Sequence, residues 1–285
     1  MKIAFLGGGN LATALIGGLI AKGTSPREIS VIELNPAARE RLAEKYKVHI
    51  TTAPDAMVQA SQVLVLAVKP QDMKAALRSI AGFSQEKLIV SVAAGIRLDS
   101  LSRWLAGHRK IVRAMPNTPS LIGAGIAGLY PDPSVSAEEK KKAEDILRAV
   151  GEVVWLADEK LIDPVTAVSA SGPAYVFWFI EQMAASAVKL GIPERDALRL
   201  AKQMVLGAAQ LAASSQDTPE TLRKNVTSKG GTTEAALNVF AAEQMAERLH
   251  RAVEAASRRG AQMGLEFGGL ESGGAESGAP ELGKD

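Results

Sequence analysis

Residues 7–12, Gly-Gly-Gly-Asn-Leu-Ala, lie between a short apolar run, Lys2 to Leu6, and an apolar-periodic stretch, Ala14 to Ala21. A buried strand that runs straight into a glycine turn and then into a helix leaves few folds open. The spacing is G-x-G-x-x-A, the pattern of a dinucleotide-binding turn. Each position has a physical task. Gly7 permits the tight turn, Gly9 lets a pyrophosphate approach the backbone, and Ala12 keeps the helix close to the strand. The amides of Asn10 and Leu11 then face phosphate oxygens at the positive end of the helix.

A second strand, Ile29 to Glu33, places Glu33 21 residues beyond Ala12. An acidic side chain at that place accepts hydrogen bonds from an adenosine ribose and repels a 2′-phosphate. Glu33 therefore leans toward NADH. Asn35, Arg39 and Arg41 are near enough in sequence to receive a phosphate, so the cofactor is read as NADPH or NADH. Helix Ala37 to Lys45 and a strand at Val48 to Ile50 follow. Three further strands are expected at Val63 to Val68, Leu88 to Val92 and Lys110 to Ala114, then a helix at Ala137 to Val150 and a last strand at Glu152 to Leu156. Strands alternating with helices predict a Rossmann-like, doubly wound parallel sheet over residues 1–160. Ligands of such sheets sit beyond the carboxyl ends of the strands. This marks Lys69 after one strand, with Ala67, Val68 and Pro70 beside it, and Asn117, held between two prolines, after another, as cofactor contacts.

From residue 161 the strand signals stop. Helices are expected at Pro164 to Leu190, with a break at Gly172-Pro173, and at Glu194 to Ala213, Pro219 to Val226 and Thr233 to Leu265. This predicts an all-α C-terminal domain at 161–267, followed by a Gly-, Ser- and Glu-rich disordered tail at 268–285. The wide apolar faces of these helices predict at least a homodimer. Ser171, just before the Gly-Pro break, is a candidate site residue. The stretch Asn225 to Phe240 is another. Gly230 and Gly231 let the backbone turn, and Thr232 and Thr233 open a helix with Glu234 in its first turn. The free amides of such a terminus seat a small carboxylate or phosphate, with the hydroxyls of Ser228, Thr232 and Thr233 nearby.

Composition removes other classes. With 33 basic and 31 acidic residues the net charge is +2, which argues against nucleic acid or an anionic membrane as partner. There are no cysteines, so thiolate chemistry, iron–sulfur clusters and cysteine zinc sites are excluded, and a reducing cytoplasm fits. His49, His108 and His250 lack metal-ligand spacing. No apolar run suits a signal peptide or a membrane span.

Taken together, Gly7 to Ala12, Ala67 to Gln71, Val112 to Pro119, Ser169 to Tyr175 and Pro219 to Phe240 make the chain resemble the pyrroline-5-carboxylate reductases over residues 1–266. Val226 to Thr233 carries the most specific part of that likeness. Lys229 departs from a common proline, and Glu33 departs from the neutral or basic groups of NADPH-preferring members. The resemblance implies hydride transfer from NAD(P)H to the C=N bond of 1-pyrroline-5-carboxylate, giving L-proline. It implies that Ser228, Gly230, Gly231, Thr232 and Ser171 hold the substrate, and that Thr233 hydrogen-bonds the imine nitrogen as the catalytic residue. It also implies a site between the two domains that is completed by a second subunit. A β-hydroxyacid dehydrogenase-like enzyme would need a helical catalytic lysine, and Lys189 and Lys202 lack the expected neighbours. A non-catalytic dinucleotide sensor is the other alternative.

Overall fold

The structure, a computed structural model, describes residues 1–80 and 82–269. In chain order the elements are β1 (Ile3–Leu6), α1 (Asn10–Ala21), β2 (Ile29–Ile32), α2 (Pro36–Tyr46), β3 (His49–Thr51), α3 (Ala56–Gln59), β4 (Val63–Leu66), α4 (Pro70–Arg78), β5 (Leu88–Ser91), α5 (Leu98–Trp104), β6 (Ile111–Met115), β7 (Gly125–Pro131), α6 (Ala137–Leu147) and β8 (Gly151–Trp155). After these come α7 (Ile162–Val165), a π-helical turn at Thr166–Ala170, α8 (Gly172–Lys189), α9 (Glu194–Ser214), α10 (Pro219–Asn225), α11 (Thr232–Ala242) and α12 (Met245–Gly268).

The strands form one sheet in the order β3-β2-β1-β4-β5-β6-β7-β8. Every neighbouring pair is parallel except β6 and β7. The central strands β1, β2, β4 and β5 are buried along their whole length. They read as continuous apolar runs because both faces are covered. On one face Ile3, Phe5, Val31 and Val65 pack with Leu15, Ile16 and Ile146. On the other, Ala4, Leu6, Leu64 and Ile89 pack with Met73, Leu77 and Leu101. Each of these side chains larger than alanine contributes about 1.5–3 kcal/mol by leaving water.

β7 escapes the periodicity argument. It carries Gly125 and Gly128, which look like turn residues. Gly128 is small because a Cβ there would come within 2.8 Å of Val165 Cγ1, so packing and not chain reversal selects it. The sheet is therefore mostly parallel, with one antiparallel pairing inside it.

The chain forms two compact units. One is Met1–Ala170 together with 257–269, and the other is Ser171–Ala256. The division falls later than residue 160, because α7 still packs on β7 through Val165 and Gly128. The second half of α12 returns to the first unit on a glycine face. Gly264 and Gly268 lie where a Cβ would come within 2.9 Å of Arg97 Nε and of Ser100 Oγ, and Gly260 lies over Asp163. Burial pushes the Asp163 carboxyl up from its ordinary range, against the pull of Arg113 and Arg97. Beside it, buried Arg113 donates to Glu159 at 2.6 Å.

Two expectations for the helical half change. The helical stretch Pro164 to Leu190 breaks at Gly172-Pro173 as expected, with Gly172 opening α8 and Pro173 in its first turn, where its missing N–H costs nothing, but the part before the break is α7 and a π-helical turn. The single helix Thr233 to Leu265 is α11 and α12, broken where Gln244 takes φ +53°. Arg248 Nε donates to the Glu243 carbonyl at that break, at 2.8 Å. Of the expected tail at 268–285, Gly268 closes α12, and 270–285 lie outside the described residues.

Within 171–256 only Ala197 and Ala201 are buried. Phe177 is 65% exposed, Trp178 56% and Leu190 84%. Phe177, Ile180, Val188 and Leu198 line an apolar groove along α8 and α9, with Lys189 and Lys202 also on its walls. A unit with so little core of its own and so much bare apolar surface has the character of an interface.

Candidate active site

The first cluster sits at the carboxyl edge of the sheet. The chain builds outward from β1 through β2 to β3, then crosses back to place β4 on the other side of β1. The crevice between β1 and β4 is thus the switch point at which open α/β sheets bind ligands. Gly7 takes φ +98°, and a Cβ on it would lie 2.9 Å from both Ala67 O and Val68 Cγ1. It is glycine for conformation and for packing. Ala12 is fully buried against the sheet, which brings α1 close.

Gly9 is different. Its φ of −66° and ψ of −174° suit any residue, and a Cβ there meets nothing within 4 Å. No protein atom requires glycine at this position. The open space lies at the N-cap of α1, where Thr13 N is the first amide to bond back, to Gly9 O at 2.9 Å. The amides of Asn10 and Leu11 precede it in the first turn and have no intrahelical acceptor. An opening of this kind over exposed amides fits a pyrophosphate.

Glu33 follows β2 as Gly7 follows β1, since Leu6 pairs with Ile32. Its carboxylate accepts from Gly8 N at 2.7 Å and from Asn35 N at 2.7 Å. Arg41 Nη2 lies 3.4 Å from Gly8 O. Lys69 is exposed and precedes α4, which opens on Pro70. Asn117, expected as a cofactor contact, shows another role. Its Nδ2 donates to Ser169 O at 3.2 Å and its Oδ1 accepts from Ile126 N at 3.0 Å. It braces the start of β7 against the π-helical turn that leads to Ser171.

The second cluster lies in the helical unit, between α10 and α11. Gly230 takes φ +73°, and a Cβ on Gly231 would come within 2.7 Å of Ser228 Oγ. These glycines fold the loop back on Ser228. The expectation that their amides seat an anion is corrected here. Gly230 N donates to Glu234 Oε2 at 2.7 Å, and Gly231 N to Ser228 O at 3.0 Å. The first-turn glutamate reaches back over the loop much as a capping-box residue does. The open amides are those one step along, at Thr232, Thr233 and Glu234, since Ala235 N is the first to bond back, to Gly231 O. Thr233 is half-buried at the second position of α11, and Ser228 is exposed. Ser171 is half-buried at the entry to α8.

Sequence reasoning missed Gly8 and Glu234, both of which act through a neighbouring side chain or amide. The signal for Glu234 was its place three residues after the N-cap Gly231.

Comparisons with known proteins cover both clusters. Residues 159–263 match the family described as pyrroline-5-carboxylate reductase dimerisation, and residues 2–95 match that described as NADP oxidoreductase coenzyme F420-dependent. A pyrroline-5-carboxylate reductase of Pseudomonas aeruginosa is 44% identical over 268 residues, 94% of this chain and 98% of that protein. One from Pasteurella multocida is 41% identical over 92% of this chain and 97% of that protein. A solved pyrroline-5-carboxylate reductase from Coxiella burnetii superposes with a TM-score of 0.88 at 38% identity, covering 92% of this chain and 98% of that one. The Plasmodium falciparum pyrroline carboxylate reductase, solved with NADP bound, gives 0.80 at 26% identity, covering 93% and 98%. Identity at this level, sustained over nearly the full length of both partners, makes this chain a member of the pyrroline-5-carboxylate reductase family.

Proposed function

We propose that this chain reduces the C=N bond of 1-pyrroline-5-carboxylate to give L-proline, with a reduced nicotinamide dinucleotide held by the first unit and the imine's carboxylate held by the helical unit. When bound, the cofactor supplies the hydride. The glycine turn 7–9, the amides of Asn10 and Leu11, and Ala67 to Pro70 at the end of β4 position it. The first-turn amides of α11, with the hydroxyls of Ser228 and Thr232, take the substrate carboxylate at the positive end of a helix. Ser171 lines the same seat.

Thr233 orients the imine nitrogen. A hydroxyl titrates far above neutrality and is a weak acid, so protonation comes from water or from an imine that arrives protonated. The protein's share is positioning and electrostatics. One observation carries the reading: the glycine turn at 230–231 opens a helix whose first-turn amides, at Thr232, Thr233 and Glu234, have no backbone acceptor, with Thr233 half-buried among them.

The bare apolar faces of α8 and α9 support assembly as a homodimer or a larger homo-oligomer. No helix among the described residues is long and apolar enough to cross a membrane. Together with the balanced charge and the absence of cysteine, this supports a cytoplasmic enzyme.

Thr233→Ala tests the assignment. Losing a hydroxyl that bonds a charged group costs about 1.5–3 kcal/mol, so kcat/KM falls by roughly one to two powers of ten while the cofactor Kd holds. Thr233→Ser should recover most of the loss. Unchanged kcat/KM in Thr233→Ala would remove Thr233 from the mechanism.

A further inference from the structure

We propose that Glu33 makes NADH the working cofactor, because its carboxylate fills from within the chain the amide nest that a 2′-phosphate would need. The proposal rests on the reductase reading and narrows its cofactor.

The geometry is specific. Both carboxylate oxygens are engaged, Oε2 by the amide of Gly8 and Oε1 by the amide of Asn35. Those two amides belong to different segments, the glycine turn after β1 and the turn that opens α2. Glu33 therefore fastens one to the other across the ends of adjacent strands. The backbone beneath it is fixed as well. Gly7 N donates to Ile32 O at 2.8 Å and Glu33 N to Thr51 O at 3.0 Å.

Gly8 adds an independent sign that the chain is shaped around this carboxylate. Its position in the G-x-G-x-x-A pattern admits any residue. Here a Cβ would come within 2.6 Å of Leu42 Cδ1 and 3.2 Å of Glu33 Oε2. Leu42 is fully buried, so its terminal methyl would have to move within the packed core. The third adjacent glycine is thus explained by Glu33 and the helix behind it, and not by a ligand.

Two consequences follow. The remaining lone pairs of a fixed carboxylate are acceptors for ribose hydroxyls. A phosphate at the 2′ position would have to displace that carboxylate or lie against it with like charge. Removing Glu33 does more than cancel the repulsion. It frees the Gly8 and Asn35 amides and leaves Arg41, whose Nη2 already donates to Gly8 O, beside them, the donor set a phosphate requires. Preference should then invert and not merely fade.

Titration calorimetry on the full chain tests this without turnover. The probes are NADH against NADPH, and adenosine 5′-monophosphate against adenosine 2′,5′-bisphosphate. Wild type should bind NADH at least about tenfold more tightly than NADPH, with the two adenosine probes in the same order. Glu33→Ala should reverse both orders. Glu33→Gln, which keeps one acceptor, should lose discrimination with less disturbance of the fold. Wild type that binds NADPH as tightly as NADH would overturn the proposal whatever the variants do. So would a Glu33→Gln protein, shown by thermal unfolding to be folded, that keeps the wild-type ratio. Failure of wild type to bind either dinucleotide would instead sink the reductase reading itself.

Discussion

Gly7 and Gly9 stand two residues apart in one turn, yet the structure assigns them different tasks, and substitution should separate these. A methyl group at Gly9 meets no protein atom within 4 Å and asks for no change in a φ of −66°. Its cost to folding is that of a poorer N-cap, about 0.5–1 kcal/mol. A methyl group at Gly7 must tolerate φ +98° and contacts of 2.9 Å with Ala67 O and Val68 Cγ1. Left-handed strain and crowding of backbone together cost about 2–4 kcal/mol. Gly9→Ala should therefore unfold in urea close to wild type, while its Kd for NADH rises at least about tenfold, ~1.4 kcal/mol, because the methyl occupies the approach of the pyrophosphate. Gly7→Ala should lose stability first and binding only as a result. Urea unfolding and calorimetric titration on the same preparations give both numbers. Unchanged NADH affinity in Gly9→Ala would refute the idea that the open space belongs to a ligand. A loss of stability in Gly9→Ala equal to that in Gly7→Ala would refute the division of roles.

Further outcomes follow from the rest of the molecule. Phe177→Glu places a charge on an apolar face that is bare in the single chain, and should shift the mass measured by light scattering toward the monomer and lower activity with it; an unchanged mass would put the subunit interface elsewhere. Asp55 caps α3 through Val58 N at 3.0 Å and meets His49 Nε2 at 2.6 Å. These bonds, the Val58 amide first, hold its carboxyl below the usual range. Because its pKa is depressed on folding, the stability it contributes is present above the unfolded value, near 3.9, and is lost as pH falls through the folded one. Asn caps a helix about as well as Asp, so Asp55→Asn removes the charge alone and should cost about 0.2–1 kcal/mol at neutral pH, and the gap to wild type in thermal unfolding should close below about pH 4. A gap independent of pH would show that the ionised carboxylate contributes nothing beyond shape.

Much of the first unit was legible in the sequence because its central strands are buried on both faces. Runs such as Val63 to Leu66 announce themselves without periodicity, and the glycine turn marks where β1 ends. β7 was hidden because Gly125 and Gly128 serve packing there. The break between α11 and α12 was hidden because neither Gly nor Pro marks it; Gln244 supplies the positive φ. In the helical unit the loop before α11 was readable as an anion seat. Which amides are open was not, since that depends on Glu234 reaching back to Gly230. The same limit applied at Glu33. Its place after β2 was visible, while its capture by two amides is a fact of tertiary structure.

The measurement that bears most directly on the reductase assignment is steady-state turnover of 1-pyrroline-5-carboxylate by the full chain, followed as oxidation of NADH and, separately, of NADPH, with L-proline identified as the product. Turnover should form proline, with the higher kcat/KM for NADH. Absence of proline with either cofactor, from folded protein that still binds a dinucleotide, would contradict the assignment.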